Sequence, residues 1–195
     1  GPLHKVTWDM SFKWKPLNQN TIDFLITTKK NQNGSDFIGN IFENGIDTMK
    51  SEQLQQYKTI ILRVGYDERK HGYINPCSAV IEDKLPIAGN VDEEESYRPV
   101  PFYPSNPYDP EANICNIIIK PDQYNVLQMF TEENEIFNDE TIVEFRYDPT
   151  REGSWKWIPL RVRYDKTAEL RSGHRNYGNA YHTANSNWHS IHHPL

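Results

Sequence analysis

Two short clusters of basic residues carry the clearest chemistry in this sequence. Lys13 and Lys15 stand two positions apart in the segment 11–15, which Pro16 follows. If the segment is a strand, residues i and i+2 point to the same side about 7 Å apart, so one phosphate group could bridge both ammonium groups. The alternative, which involves no ligand, is an exposed edge strand whose lysines prevent edge-to-edge aggregation. Spacing alone leaves both interpretations open.

The second cluster lies about 140 residues later, at the end of a segment with the two-residue period of a strand. This period predicts that Arg161, Arg163 and Asp165 share one face. Val162 and Tyr164 are then expected to face the core.

Three side chains of this cluster suit the binding of a pyrophosphate. Arg163 offers a planar fork for phosphate oxygens, and Lys166 offers a compact charge. Asp165 could orient either cation. The alternative is a surface ladder of cross-strand ion pairs, each worth little.

Composition limits what this chain can be. Its 195 residues suffice for one domain with appendages, and no apolar run approaches the ~20 residues needed to span a bilayer. The net charge of −6 argues against a surface that grips nucleic acid throughout, so any phosphate site should be local. Cys77 and Cys115 lack metal-ligand spacing and are expected to be buried thiols in a reducing compartment. We therefore expect a soluble, intracellular protein.

Strands dominate the predicted elements. Seven short segments are rich in β-branched or aromatic residues, namely 11–15, 21–28, 59–65, 79–82, 114–120, 141–147 and 158–164. Helices are predicted over 47–57 and 123–132, where aspartate or proline could start a helix. The segments 29–40 and 99–110 are predicted to be long surface loops, because they are rich in polar residues or proline.

This pattern predicts a mainly β fold. We expect an OB-fold Greek-key β-barrel with long insertions and one or two short helices, with a β-sandwich as the competing architecture. Residues 168–195 lack a continuous apolar stripe and are predicted to be a linker or docking tail. Their histidines, including His182 and His189, are weak evidence for zinc, since no cysteine or carboxylate accompanies them. No metal site is predicted.

The sequence also resembles a known family. The string Phe12-Lys13-Trp14-Lys15-Pro16, with Asn20-Thr21-Ile22-Asp23-Phe24 after it, resembles the fifth nucleotidyltransferase motif of mRNA capping guanylyltransferases. Arg163-Tyr164-Asp165-Lys166 matches their sixth motif, R-x-D-K. The closest resemblance is to the multifunctional capping enzymes of large DNA viruses, which share an aromatic, proline-rich stretch like 98–104 and a segment like Tyr177-Gly178-Asn179.

The resemblance implies a two-step chemistry. A lysine of an upstream nucleotidyltransferase domain would take GMP from GTP, with Mg²⁺ or Mn²⁺, and pass it to the 5′-diphosphate end of RNA. Lys13 and Lys15 would contact the α-phosphate. Arg163, Asp165 and Lys166 would close over the nucleotide and orient its β and γ phosphates. Triphosphatase and methyltransferase domains could flank the chain, and the resemblance places the enzyme in a viral factory in the cytoplasm or in the virion.

The resemblance also divides the chain. Residues 1–4 are interpreted as a tag scar and start, 5–16 as the last strand of the nucleotidyltransferase domain, 17–167 as the OB-fold domain and 168–195 as the tail. The Lys-x-Asp-Gly nucleophile motif of the family does not occur in the 195 residues. We therefore expect this chain alone to form no covalent lysyl-GMP and to carry no bound cofactor.

Two other functions stay open. In the first, exposed aromatic residues stack the bases of a single-stranded nucleic acid; the candidates are Tyr103, Tyr108, Trp155 and Trp157. In the second, the domain docks a protein within a larger enzyme and has no catalytic role.

Overall fold

The computed structural model describes residues 20–42, 54–68 and 96–194. These residues form nine strands: β1 (Thr21–Thr28), β2 (Ile38–Phe42), β3 (Leu54–Asp67), β4 (Tyr97–Pro101), β5 (Ile114–Pro121), β6 (Leu127–Phe130), β7 (Ile136–Phe137), β8 (Thr141–Tyr147) and β9 (Trp157–Val162). Two α-helices follow, α1 (Tyr164–Arg171) and α2 (Tyr181–His192). A 3-10 turn, Gly153–Trp155, precedes β9.

The strands form one antiparallel sheet that curls into a nearly closed barrel. Their order is β7-β6-β5-β3-β1-β8-β9, and the long strand β3 also pairs with β2 and β4. The two edges of the sheet approach each other where Glu132 N donates to Pro159 O (2.9 Å) and Glu133 N donates to Leu160 O (3.3 Å). The prediction of a mainly β, OB-like barrel with short helices is confirmed.

The barrel interior is packed with aliphatic and aromatic side chains. Phe24 of β1 lies at its centre, with ring centroids 5.1 Å from Trp157, 5.3 Å from Phe102 and 5.7 Å from Phe145. Tilted and edge-on ring pairs of this kind stabilise beyond the area they bury. Cys115 is a buried, free thiol, as predicted, and burial raises its pKa. Cys77 lies outside the described residues.

Most strand predictions hold where the structure describes the chain. β1 and β8 have the predicted bounds, β5 extends one residue further, and the predicted strand 59–65 lies inside the longer β3. The predicted strand 158–164 corresponds to β9, which begins one residue earlier and ends at Val162. The predicted strands 11–15 and 79–82 lie outside the described residues. The predicted loop 99–110 starts inside β4, and the end of the predicted loop 29–40 belongs to β2.

Both helix predictions are wrong in the described part of the chain. Residues 54–57 belong to β3, and 123–132 contain a turn followed by β6. Asp122 accepts hydrogen bonds from the backbone N–H groups of Tyr124 (2.8 Å) and Val126 (2.9 Å), and Asn125 has a positive φ of 64°. An aspartate that caps a helix can equally well close a tight turn, and here it closes the turn between β5 and β6.

The segment 168–195, predicted to be a linker or docking tail, is folded onto the barrel as far as residue 194. Helix α2 buries Ala184 and Trp188, which are four residues apart and therefore share one face. Trp188 belongs to the main hydrophobic core, and its indole N–H donates to Pro107 O at 2.8 Å. Two buried residues on a polar helix are too few to be recognised as an apolar stripe. Neither described helix has the length and apolar character to cross a membrane.

Candidate functional site

The candidate site is centred on a buried carboxylate, Asp23, in the middle of β1. Both faces of this strand are covered, so Ile22, Asp23 and Phe24 are all buried. The Asp23 side chain retains 8% of its exposure. A buried carboxylate needs charged hydrogen-bond donors, because burial alone strongly disfavours its ionised form.

Two cations meet on one oxygen of that carboxylate. Arg163 Nη1 donates to Asp23 Oδ2 at 2.6 Å, and Lys166 Nζ donates to the same atom at 2.7 Å. Arg163 immediately precedes α1, and Lys166 lies in its first turn. Each cation retains 22% of its side-chain exposure. The structure thus brings two of the predicted residues together, with donors that water can still reach.

Asp165 completes the cluster from the solvent side. It accepts a hydrogen bond from Arg163 Nη2 at 3.4 Å, and 67% of its side chain is exposed. The backbone N–H of Lys166 and the Arg163 guanidinium lower the pKa of Asp165 below its usual value. Two cations and two carboxylates therefore face each other, and the cluster is close to neutral.

Helix α1 is fixed on the barrel by a side chain rather than by an apolar face. Thr167 is buried, its hydroxyl accepts from Ile142 N at 3.0 Å, and it donates to Arg163 O at 2.8 Å. These bonds tie the first turn of the helix to β8. The position of Lys166 follows from this attachment.

The predicted alternation of Arg161, Arg163 and Asp165 on one strand face is wrong. The strand ends at Val162 and a helix begins at Tyr164, so the two-residue period stops there. Val162 is buried as predicted, whereas Tyr164 is 61% exposed rather than in the core. Arg161 belongs to another ion pair, since its Nε donates to the buried Glu144 at 2.5 Å.

A loop from the C-terminal segment holds the backbone of Asp23. Asp23 N donates to Asn179 Oδ1 at 3.0 Å, and Asn179 N donates to Asp23 O at 2.8 Å. Gly178 has φ of +83°, and a Cβ there would lie 2.5 Å from Asp23 O. Only glycine fits this close approach. Three of the segments that carry the family resemblance therefore meet at Asp23.

Asp23 was not among the residues predicted to form the site. The available signal was a single acidic residue inside the apolar run Thr21–Phe24, which requires a cationic partner if both strand faces are covered. Lys13 and Lys15 lie outside the described residues, so their predicted role remains a prediction. Among the residues that the structure describes, no three or more histidines, cysteines or carboxylates form a group that could hold a metal ion.

The aromatic residues proposed for base stacking differ in their surroundings. Trp157 is only 3% exposed and belongs to the core, so it is unable to stack a base. Tyr103 and Tyr108 are exposed, and Trp155 is partly exposed at the rim of a groove. Stacking is therefore restricted to three of the four candidates.

Fold and site together define an OB-like barrel with a two-cation, two-carboxylate cluster where its last strand passes into a helix. The chain is 29% identical over 192 residues to a protein of Acanthamoeba polyphaga mimivirus named "Probable mRNA-capping enzyme". The alignment covers 97% of this chain and 13% of the relative. This similarity confirms the resemblance to capping enzymes of large DNA viruses. No family model and no solved structure matches the chain.

Proposed function

We propose that this chain is the OB-fold part of a viral mRNA guanylyltransferase, in which it closes over GTP and orients the phosphates for GMP transfer to the 5′-diphosphate end of RNA. The observation that carries the proposal is the meeting of Arg163 and Lys166 on one oxygen of Asp23. The name of the mimiviral relative supports an mRNA-capping enzyme as the parent protein.

The cluster can bind phosphate without being dismantled. Arg163 has five N–H donors and Lys166 has three, and the bonds to Asp23 and Asp165 use only a few of them. The remaining donors can face phosphate oxygens, because both side chains keep partial access to solvent. Asp23 then acts as a positioning residue that holds both cations in one place, and Asp165 limits the rotation of the Arg163 fork.

Cations held in place before the reaction are more effective than mobile ones. A preorganised donor aimed at developing charge contributes about 3 kcal/mol to catalysis, which corresponds to about a hundredfold in rate. Arg163 and Lys166 would stabilise the β and γ phosphates as pyrophosphate departs. Lys13 and Lys15 would contact the α-phosphate, and closing and reopening of the domain would then admit the RNA end.

Several partners belong to the same proposal. The upstream nucleotidyltransferase domain would supply the nucleophilic lysine in cis, and triphosphatase and methyltransferase domains would occupy other parts of the parent protein. The Mg²⁺ or Mn²⁺ that accompanies GTP would be held by the nucleotide and that upstream domain. The described residues provide no group of three metal-binding side chains, so no step assigned to this chain depends on the ion.

The test measures lysyl-GMP formation from labelled GTP in the full-length parent protein. Arg163→Gln and Lys166→Gln should each reduce the rate about a hundredfold. Arg171→Gln is the matched control, because Arg171 is an exposed cation in the last turn of the same helix and donates to the Thr141 hydroxyl at 3.4 Å, and it should react normally. The 195-residue chain alone should form no adduct.

Full reactivity of the Arg163 and Lys166 variants would refute the phosphate-orienting role. A labelled adduct on the isolated chain would refute the assignment of the nucleophile to an upstream domain. Thermal melting of each variant identifies any loss of rate that comes from unfolding.

A further inference from the structure

A row of three aromatic side chains lies on the barrel surface away from the Asp23 cluster. Phe37 contacts Tyr57 with ring centroids 6.4 Å apart and an interplanar angle of 71°. Tyr57 contacts Trp155 at 5.2 Å and 69°. All three side chains are partly exposed. They come from three separate parts of the chain, so the fold brings the row together.

The row is held rigidly by the sheet. Gly39 of β2 lies opposite Tyr57 of β3 in register, and a Cβ at position 39 would overlap the Tyr57 ring. The missing side chain at Gly39 therefore lets Tyr57 lie across β2. Trp155 in turn is fixed by its edge contact with Tyr57 and by the 3-10 turn Gly153–Trp155.

Trp155 borders a groove of about 560 Å³. The groove lies between β5, the β6–β7 turn and the start of β9, and its polar lining residues include Asn116, Lys120, Asn134 and Arg151. The side-chain oxygen of Asn116 accepts a hydrogen bond from Thr59 at 2.7 Å. Its amide N–H groups have no partner among the described residues, so they are free to donate.

The charge of the groove is positive despite the acidity of the chain. Lys120 and Arg151 are exposed, and neither forms a salt bridge with any residue in the described ranges. Glu132 also lines the groove, but its carboxylate accepts from Arg146 at 2.9 Å and is neutralised. At the other end of the aromatic row, Lys29 Nζ lies 4.7 Å from the Phe37 ring centroid.

We propose that this groove binds single-stranded RNA. A base would stack on the accessible part of Trp155, the Asn116 amide would donate to a base edge, and Lys120 and Arg151 would contact the phosphates. Stacking platforms flanked by cations are the general means of binding single strands. A duplex hides the faces of its bases, so it offers nothing for Trp155 to stack on.

An acidic peptide is the other ligand that such a groove could attract. It would satisfy Lys120, Arg151 and the Asn116 amide, but it would leave the face of Trp155 without a flat ring to stack on. The aromatic row therefore favours RNA. The site requires no GTP and does not depend on the function proposed above.

The experiment measures fluorescence anisotropy of a labelled single-stranded RNA decamer with the 195-residue chain. Trp155→Ala should weaken binding by about 5- to 150-fold, the range for loss of one stacked base. Lys120→Gln and Arg151→Gln should each lower the slope of log affinity against log salt by about 0.7. Tyr108→Ala removes an exposed aromatic residue outside the groove and Arg175→Gln removes an exposed cation outside it, and both should bind like the wild type.

Three results would overturn the proposal: no binding at low salt, binding that none of the three groove variants changes, or tighter binding of polyglutamate with the same dependence on the groove. Lys120 and Arg151 are exposed, so their variants keep the test valid if Trp155→Ala fails to fold. In the full-length protein, Trp155→Ala should still form lysyl-GMP. A failure of the groove is thus distinguishable from a failure of the GTP site.

Discussion

Replacement of Asp23 by asparagine should destabilise the fold strongly, although it only exchanges one carboxylate oxygen for an amide nitrogen. Oδ2 of Asp23 accepts from both Arg163 and Lys166. A hydrogen bond to a charged group contributes about 1.5–3 kcal/mol. Both cations keep 22% of their exposure and regain water in the variant, so we use the low end for each bond. The expected loss is about 3 kcal/mol in the free energy of unfolding.

Urea denaturation of the 195-residue chain measures this loss, and thermal melting gives a second value. For a chain of this size, a loss of about 3 kcal/mol lowers Tm by roughly 6–12 °C. Lys166→Gln should cost about half as much, because Asp23 keeps its bond to Arg163. In a double-mutant cycle, Asp23→Asn and Lys166→Gln should be non-additive, since they remove the same ion pair.

Asp165→Asn is the matched control. Its carboxylate touches the same guanidinium but is 67% exposed, so the loss should be much smaller than that of Asp23→Asn. If Asp23→Asn were as mild as this control, Asp23 would not be the centre of the cluster and would not preorganise Arg163 and Lys166.

Two further predictions concern the rest of the fold. Trp188→Ala should cost about 3–5 kcal/mol in urea denaturation, whereas His193→Ala at the exposed end of the same segment should cost little, and equal effects would show that α2 contributes nothing to the core. Burial acts to raise the pKa of Asp36, but hydrogen bonds from Lys30 and Lys58 outweigh it and lower that pKa to about 2. The stabilisation from this ionised carboxylate is fully present above its unfolded pKa and is lost as the pH decreases. The difference in the free energy of unfolding between wild type and Asp36→Asn should therefore shrink by about 1 kcal/mol from about pH 6 to pH 3. An advantage that is constant with pH would contradict the depressed pKa.

Strands of this barrel could be predicted because their local patterns agree with their final surroundings. β1 and β8 are runs of β-branched and aromatic residues that end at polar positions. The barrel buries both faces of these strands, and buried positions favour the same β-branched and aromatic residues that strand propensity favours. The two elements therefore appear with the predicted bounds.

The errors arise where one local signal serves two structures. Asp122 after Pro121 is a good helix start, yet the same carboxylate closes the turn between β5 and β6. Helix α2 has the opposite problem: its packing depends on one large side chain, Trp188, among polar neighbours. Helix α2 is held on the barrel because Trp188 packs into the main hydrophobic core, and a local sequence pattern does not show this long-range packing.

Only the site residues that are close in sequence could be predicted to lie together. Arg163, Asp165 and Lys166 lie within four positions of one another, so their proximity needs no knowledge of the fold. Asp23 reaches them across 140 residues. Such a long-range pair follows only from the pairing of β1 with β8 and the docking of α1 on β8.

The bonds between Asp23 and Asn179 also set a condition on how the protein is made. Their partners are 156 residues apart, and a ribosome adds roughly 5–20 residues per second. The first described strand must therefore wait about 8 to 30 s for the residues that complete its hydrogen bonds. During synthesis, a nascent barrel with an unsatisfied acidic strand is the species that chaperones would meet, and the native ion cluster is among the last features to form.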